Sequence, residues 1–152
     1  MSKLSELICE DAIVADLEAA TKQEAIGALV RQLVVAGRLP AEAEASVAKA
    51  ILDRERQGTT GFGKGVAVPH AKHATVPAMA GAVGVSRGGI DFDSVDGRPV
   101  HSIVLLLSPA NQSQQHLDAM QTVFKALHDD GFRGNLRRAT DRGQVAALLA
   151  GM

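Results

Sequence analysis

The segment Val100 to Leu107 is apolar at nearly every position, and a strand of that kind cannot leave either face in water. It has to run through the middle of a sheet with covering layers on both sides. The segments around it supply those layers. Thr21 to Gly37 reads as a helix: Thr21 and Glu24 form a capping box, Ile26, Leu29, Val30, Leu33 and Val34 share one face, and Gly37 stops it. Ala41 to Gln57 reads as a second helix, with Val47, Ala50 and Ile51 turned inward and Gly58 ending it. Gln112 to Asp129 is a third, with Leu117, Met120, Val123, Phe124 and Leu127 as its buried face. The tail holds two short helical pieces split near Thr140-Asp141. Shorter strands are expected at Val66-Ala67-Val68, stopped by Pro69, and at Ala80 to Ser86, while residues 87–99 carry turn signals that include Asp96-Gly97. Helices and strands mixed in this way predict an α/β fold, a three-layer α/β/α sandwich with a mixed sheet, in one domain over residues 1–152.

Composition then removes whole function classes. Apolar residues make up 46% of the chain, enough for a sizeable core, but aromatics only 3%, with no Trp and no Tyr, so stacking platforms for bases are scarce. With 16 basic against 17 acidic residues, no nucleic acid or anionic membrane is an expected partner. The single cysteine, Cys9, excludes an intrachain disulfide and a multi-cysteine metal site, and a reducing, cytoplasmic setting is expected. No apolar run approaches the length of a membrane span and no signal peptide is read at the N-terminus, so no direct membrane insertion is expected.

The chemistry is expected in residues 58–73, GTTGFGKGVAVPHAKH. Gly58 to Lys64 spells the first seven positions of a phosphate-binding P-loop, but Gly65 stands where Ser or Thr must hold Mg²⁺. The order is also reversed, since here a helix precedes the loop and a strand follows it. Residues 58–65 are too glycine-rich for a regular element. His70 follows the strand. Imidazole is neutral and nucleophilic near pH 7, so it can carry a phosphoryl group; a histidine that merely bonds a backbone carbonyl fits the same position. Arg54 continues the inward face of the second helix and could grip phosphoryl oxygens with two donors, or sit on the solvated rim. Its neighbours Glu55 and Arg56 read as surface charges. His116 falls in the first turn of the helix after the apolar strand, where the helix N-terminus disfavours the imidazolium; a partly buried capping histidine fits there equally. His70-x-x-His73 suggests a metal pair, but no acidic or Cys ligands accompany it and both are expected in a loop, so no metal and no cofactor are assigned. His101 and His128 receive no role.

The run Arg54-Glu55, GlyThrThrGlyPheGlyLysGly (58–65) and ValAlaValProHis (66–70) resembles the signature of the mannitol/fructose-type enzyme IIA family of the sugar phosphotransferase system, which includes a nitrogen-regulatory branch. The resemblance extends to the capped helix at 21–36, the turn residues 90–97, the strand at 103–107 and the helix opened by His116-Leu117. It implies that His70 accepts a phosphoryl group, on Nε2 with Nδ1–H held by a backbone carbonyl, from an HPr-type phosphocarrier protein. It implies further that Arg54 and His116 assist. The phosphoryl group is then expected to pass to a IIB domain of a sugar permease or to act as a signal to regulatory target proteins. A transporter or IIB domain attached to this chain is not expected. The same fold also serves cytoplasmic domains of anion transporters that need no phosphorylation, a reading that His70, Arg54 and His116 together oppose. Two positions depart from the family pattern: Ala71 stands where many relatives have Gly, and His73 stands beside the site.

Overall fold

A computed structural model describes residues 3–152; Met1 and Ser2 of the expected domain lie outside the described residues. In chain order the elements are α1 (Leu4–Leu7), β1 (Ile8–Val14), α2 (Lys22–Val35), α3 (Glu44–Arg56), β2 (Gly61–Gly63), β3 (Val66–Ala67), β4 (His70–His73), β5 (Ala80–Ile90), β6 (Val100–Pro109), α4 (Ser113–Leu127), α5 (Asp130–Arg138) and α6 (Arg142–Ala150). The apolar segment is β6, and it is the hub of the six-stranded mixed sheet. β5 pairs with it antiparallel on one side, with β1 beyond, parallel to β5. On its other side β3 and β4 follow each other, both parallel to β6, and β2 pairs antiparallel with β3.

Every residue of β6 is buried, and alternate side chains enter two different cores. Ile103, Leu105 and Leu107 pack in the core that holds Ile26, Leu29, Val47 and Ile51 of α2 and α3. Val104 and Leu106 pack in the core that holds Met120 and Val123 of α4, Leu136 of α5 and Val145 of α6. This is the three-layer sandwich that a doubly buried strand requires. α2 begins as expected, with the Thr21 side chain accepting from the Glu24 N–H at 3.1 Å and the Glu24 carboxylate accepting from the Ala20 N–H at 3.0 Å. Gly37 follows its end at φ 76°.

Several local expectations need correction. The glycine-rich stretch does hold a regular element: β2 and β3 form a hairpin turned at Lys64 and Gly65, both in the left-handed region at φ 61° and 78°. His70 and His73 lie in a strand, because the chain resumes pairing with β6 after Pro69. β5 runs to Ile90 rather than Ser86, and β1 had no clear alternation to announce it. Leu117 is 57% exposed instead of buried. It directly follows His116, whose ring takes the inward position on α4, so the leucine is turned outward.

Candidate functional site

The site begins with a break in the sheet. Between β3 and β4 stand Val68 and Pro69. Proline has no N–H to give, so the ladder along β6 is interrupted there, although Leu106 N still donates to the Pro69 carbonyl at 3.0 Å. The Val68 carbonyl instead accepts from the His70 ring, with Nδ1 2.8 Å away. A carbonyl oxygen only accepts, so Nδ1 carries the proton. The lone pair of neutral His70 therefore sits on Nε2.

Register fixes what His70 faces. His70 lies beside Leu106 on β6 and so shares the face covered by α4. His116, in the first turn of α4, comes down onto it, and the two ring centroids are 5.4 Å apart with planes inclined by 45°. His116 Nδ1 is 2.7 Å from the hydroxyl of Ser108, a fully buried residue near the end of β6 on the same face. Lys72, two residues after His70 and thus on its face, donates to the Ser113 hydroxyl at the start of α4 at 3.1 Å. Arg54 approaches from the opposite layer. Its Nη1 donates to the Gly58 carbonyl at 2.8 Å, closing the end of α3, and its charge is felt at His70.

Electrostatics keep both histidines neutral. His70 is held below the ordinary histidine range, chiefly by burial and in part by the Arg54 cation, against the opposing pull of the Val68 carbonyl and the Glu55 carboxylate. His116 is pushed down to about 4, first by burial and then by the positive charges of His70 and Lys72. Burial is the largest cause. The sign of the consequence follows. Between pH 6.5 and about 4 the unfolded chain binds a proton at this position that the folded chain refuses. Stability is therefore fully present above the unfolded value and is lost as pH falls through that window. His70 adds in the same direction. His116→Gln is expected to lose less stability than wild type between about pH 7 and about pH 4.5, measured as the urea midpoint. Equal losses in the two proteins would show that His116 titrates normally.

The structure thus brings His70 and His116 together with Arg54 near, and it separates His73. His70 and His73 are three residues apart on one strand, so their side chains leave opposite faces, and His73 Nδ1 is engaged by the Thr75 hydroxyl at 2.7 Å. The pair cannot close on one ion. Three residues near the site were not singled out by sequence as part of it. Ser108 is a polar side chain in an otherwise apolar run, and Lys72 has the two-residue spacing of a shared strand face; both signals were readable. Glu55, expected on the surface, is 5% exposed. It accepts from the Thr60 N–H at 3.2 Å and from the Thr60 hydroxyl, and pairs with Lys22 at 3.2 Å. The glycines beyond it lead away from His70: the Cβ position of Gly61 lies against Ser94 and that of Gly63 against Asp96, and Gly65 lies near His101. Their role is to make the hairpin.

A sheet of this order, with a neutral histidine pair at an interrupted strand, defines an α/β/α protein whose site is built for imidazole chemistry. The sequence pattern of the family "Phosphoenolpyruvate-dependent sugar phosphotransferase system, EIIA 2" matches residues 6–151, and the chain belongs to that family. It is 32% identical over 147 residues to the fructose-specific EIIABC component of Bacillus subtilis, covering 97% of this chain and 23% of that longer protein. It is equally 32% identical over 147 residues to a nitrogen regulatory protein of Bradyrhizobium diazoefficiens, covering 97% of this chain and 94% of the relative. Among solved structures, nitrogen regulatory protein IIA-Ntr of Neisseria meningitidis superposes with a TM-score of 0.85 at 30% identity, over 96% of this chain and 98% of that one. The complex of mannitol enzyme IIA with phosphorylated mannitol enzyme IIB of Escherichia coli gives 0.78 at 26% identity, over 96% of this chain and 100% of that one. Among the described residues no helix is long and apolar enough to cross a membrane.

Proposed function

We propose that this protein is a phosphohistidine carrier, a phosphotransferase of the enzyme IIA type acting in the cytoplasm, with His70 Nε2 as the phosphoryl acceptor. The observation that carries the reading is the bond from His70 Nδ1 to the Val68 carbonyl beside a neutral His116. It leaves Nε2 unprotonated and fixes the ring. The Nε2 lone pair forms the new N–P bond while the N–P bond to the histidine of an HPr-type donor breaks, and the electron pair of that bond returns to the donor's imidazole. The proton stays on Nδ1 throughout, donated to the Val68 carbonyl, and that carbonyl oxygen supports the positive charge that develops on the ring. Arg54 uses only one N–H on Gly58, so its remaining donors are available to the phosphoryl oxygens. His116 serves as a hydrogen-bond donor from Nε2. That requires Nδ1 to be the accepting nitrogen, and the Ser108 hydroxyl, by donating to it, sets this tautomer. The exposed Leu117 beside His116 offers apolar contact to a protein donor.

Incubation with phosphoenolpyruvate, its upstream kinase and an HPr-type carrier is expected to add one phosphoryl group, seen by intact mass, acid-labile and alkali-stable. No label from any HPr-type donor would remove the reading. Relatives of both kinds, a fructose-specific component and a nitrogen regulatory protein, support two fates for the group. Either it moves on to a IIB domain, or its presence is read by regulatory target proteins. Transfer of label to a IIB domain selects the first.

His116→Ala is expected to keep its ability to be labelled but to transfer about a hundredfold more slowly, since the lost hydrogen bond matters most in the transition state. Ser108→Ala is expected to slow transfer about tenfold, with Ser108→Thr close to wild type because the hydroxyl is retained. The ¹⁵N shifts of His116 report the mechanism: Nε2–H should dominate in wild type and lose its dominance in Ser108→Ala. An unchanged tautomer in that variant would reduce Ser108 to packing.

A further inference from the structure

His101 stands five residues before Leu106 on β6, about 17 Å along the strand from the level of His70. There the surface holds a hollow of about 320 Å³ lined by Lys64, Gly65, Arg98, Pro99, His101 and Arg137. Three of the six are permanent cations. Among the described residues, the side chains of Lys64, Arg98 and Arg137 make no hydrogen bond and no salt bridge. The nearby carboxylate is Asp96, which touches Arg98 electrostatically but whose two oxygens are occupied by the backbone N–H groups of Lys64 at 3.0 Å and Arg98 at 3.1 Å. Asp96 therefore staples the two cationic segments together and, as a carboxylate beside Arg98, offsets one of the three positive charges, leaving the hollow net positive.

The floor of the hollow is more specific than its rim. His101 is only 8% exposed. Its Nδ1 lies 2.9 Å from the Ser86 carbonyl, so that nitrogen holds the proton and Nε2 is the open one. Nε2 has no hydrogen-bond partner in the protein among the described residues. Nε2 is not enclosed by the protein, so it opens into the hollow and is available to accept a hydrogen bond there. The backbone preserves room for this ring. Gly89, at φ 82°, would bring a Cβ to 2.8 Å from Pro99 Cβ and 3.0 Å from His101 Cε1. The Gly65 carbonyl also accepts from the N–H groups of His101 and Ser102 at 2.8 and 3.1 Å, which fixes the rim to the floor.

We propose that this hollow is a second anion site, for inorganic hydrogen phosphate. Three cations less the Asp96 carboxylate leave a net positive hollow that suits a hydrogen phosphate dianion. The unprotonated Nε2 of His101 supplies what distinguishes phosphate from other dianions, an acceptor for a P–OH proton. Sulfate has the same charge near neutral pH and no proton to give. The site is independent of phosphoryl transfer at His70.

Amide ¹H–¹⁵N titrations at constant ionic strength decide the matter, using inorganic phosphate, glycerol 3-phosphate and sulfate. The amides of Gly65, Gly89 and His101 should shift saturably with phosphate, half-saturating in the millimolar range or below, and should shift at least tenfold less readily with sulfate. Glycerol 3-phosphate, whose dianion carries no P–OH proton near neutral pH, should respond as weakly as sulfate, and a response equal to or stronger than that of inorganic phosphate would overturn the proposal. The double variant Arg98→Gln/Arg137→Gln should weaken phosphate binding about tenfold or more while melting within a few degrees of wild type. Lys64→Gln tests the third cation separately. Shifts centred on His70, an equal response to sulfate, or binding unchanged in both variants would each overturn the proposal.

Discussion

His70→Ala is expected to take no phosphoryl label under conditions in which the wild type takes one. The substitution removes the nucleophile, and none of the other four histidines can replace it at the same place. His73 leaves the opposite face of β4 and is tied to Thr75. His101 is buried at the far end of β6. His128 has Nδ1 2.6 Å from the Phe124 carbonyl, beyond the end of α4. His116 is the nearest competitor, but in the tautomer proposed above, with Nδ1 accepting from Ser108, Nε2 carries a proton, and a protonated nitrogen has no lone pair to offer phosphorus. The fold should be unharmed, because His70 is half-buried on an edge strand and its backbone pairing with Leu106 does not depend on the ring. Intact mass and a circular dichroism melt on the same sample separate loss of the nucleophile from loss of the fold. Label that survives His70→Ala and maps to His73 would mean that the wrong histidine carries the chemistry.

How much of this was readable from the sequence depends on the length of each signal. β6 and α2 were legible because eight or more residues repeat one message: apolar throughout for β6, and a capped 3.6-residue period for α2. β3 was readable as the short apolar run before Pro69, but β2 is three residues long, too short for any period, and it pairs with β3 through glycines whose conformation only the tertiary structure reveals. The site divides in the same way. His70, His116 and Arg54 could be proposed from local context and resemblance, but their meeting depends on β4 and α4 both packing against β6, which no local pattern states. Residue type, rather than the helical wheel, misplaced Glu55. It lies four residues beyond Ile51 and so continues the inward stripe, but a carboxylate is read as surface unless its partners are known. Those partners, Lys22 and Thr60, come from a different helix and from the loop.

Glu55 is consequently the residue whose removal should cost the fold most. Its side chain is 2% exposed and that of Lys22 13%, so the ion pair between them lies out of water. Glu55→Ala leaves the Lys22 ammonium with only the face of Phe92, 5.3 Å from its ring centroid, and leaves the Thr60 N–H and hydroxyl without their acceptor. Breaking a buried pair from one side typically costs about 3–5 kcal/mol, and in a domain of this size each kcal/mol moves the melting temperature by about 2–4 °C. Glu55→Ala should therefore melt at least about 6 °C below wild type. Glu55→Gln keeps the shape and one acceptor for Thr60 but still strands the ammonium, so it should fall between the two. Adding Lys22→Met to Glu55→Gln removes the stranded charge and should recover much of the loss, even though two residues are then changed. The same network anchors Thr60 beside Gly58, the carbonyl that Arg54 holds, and the Glu55 charge is felt at His70. Glu55→Gln should therefore shift the His70 titration further toward the neutral ring, followed by its ring-proton chemical shift against pH. A Glu55→Ala protein that melts within about 2 °C of wild type, with no recovery in the double variant, would show that water already reaches the pair and that Glu55 is the surface charge its residue type suggests.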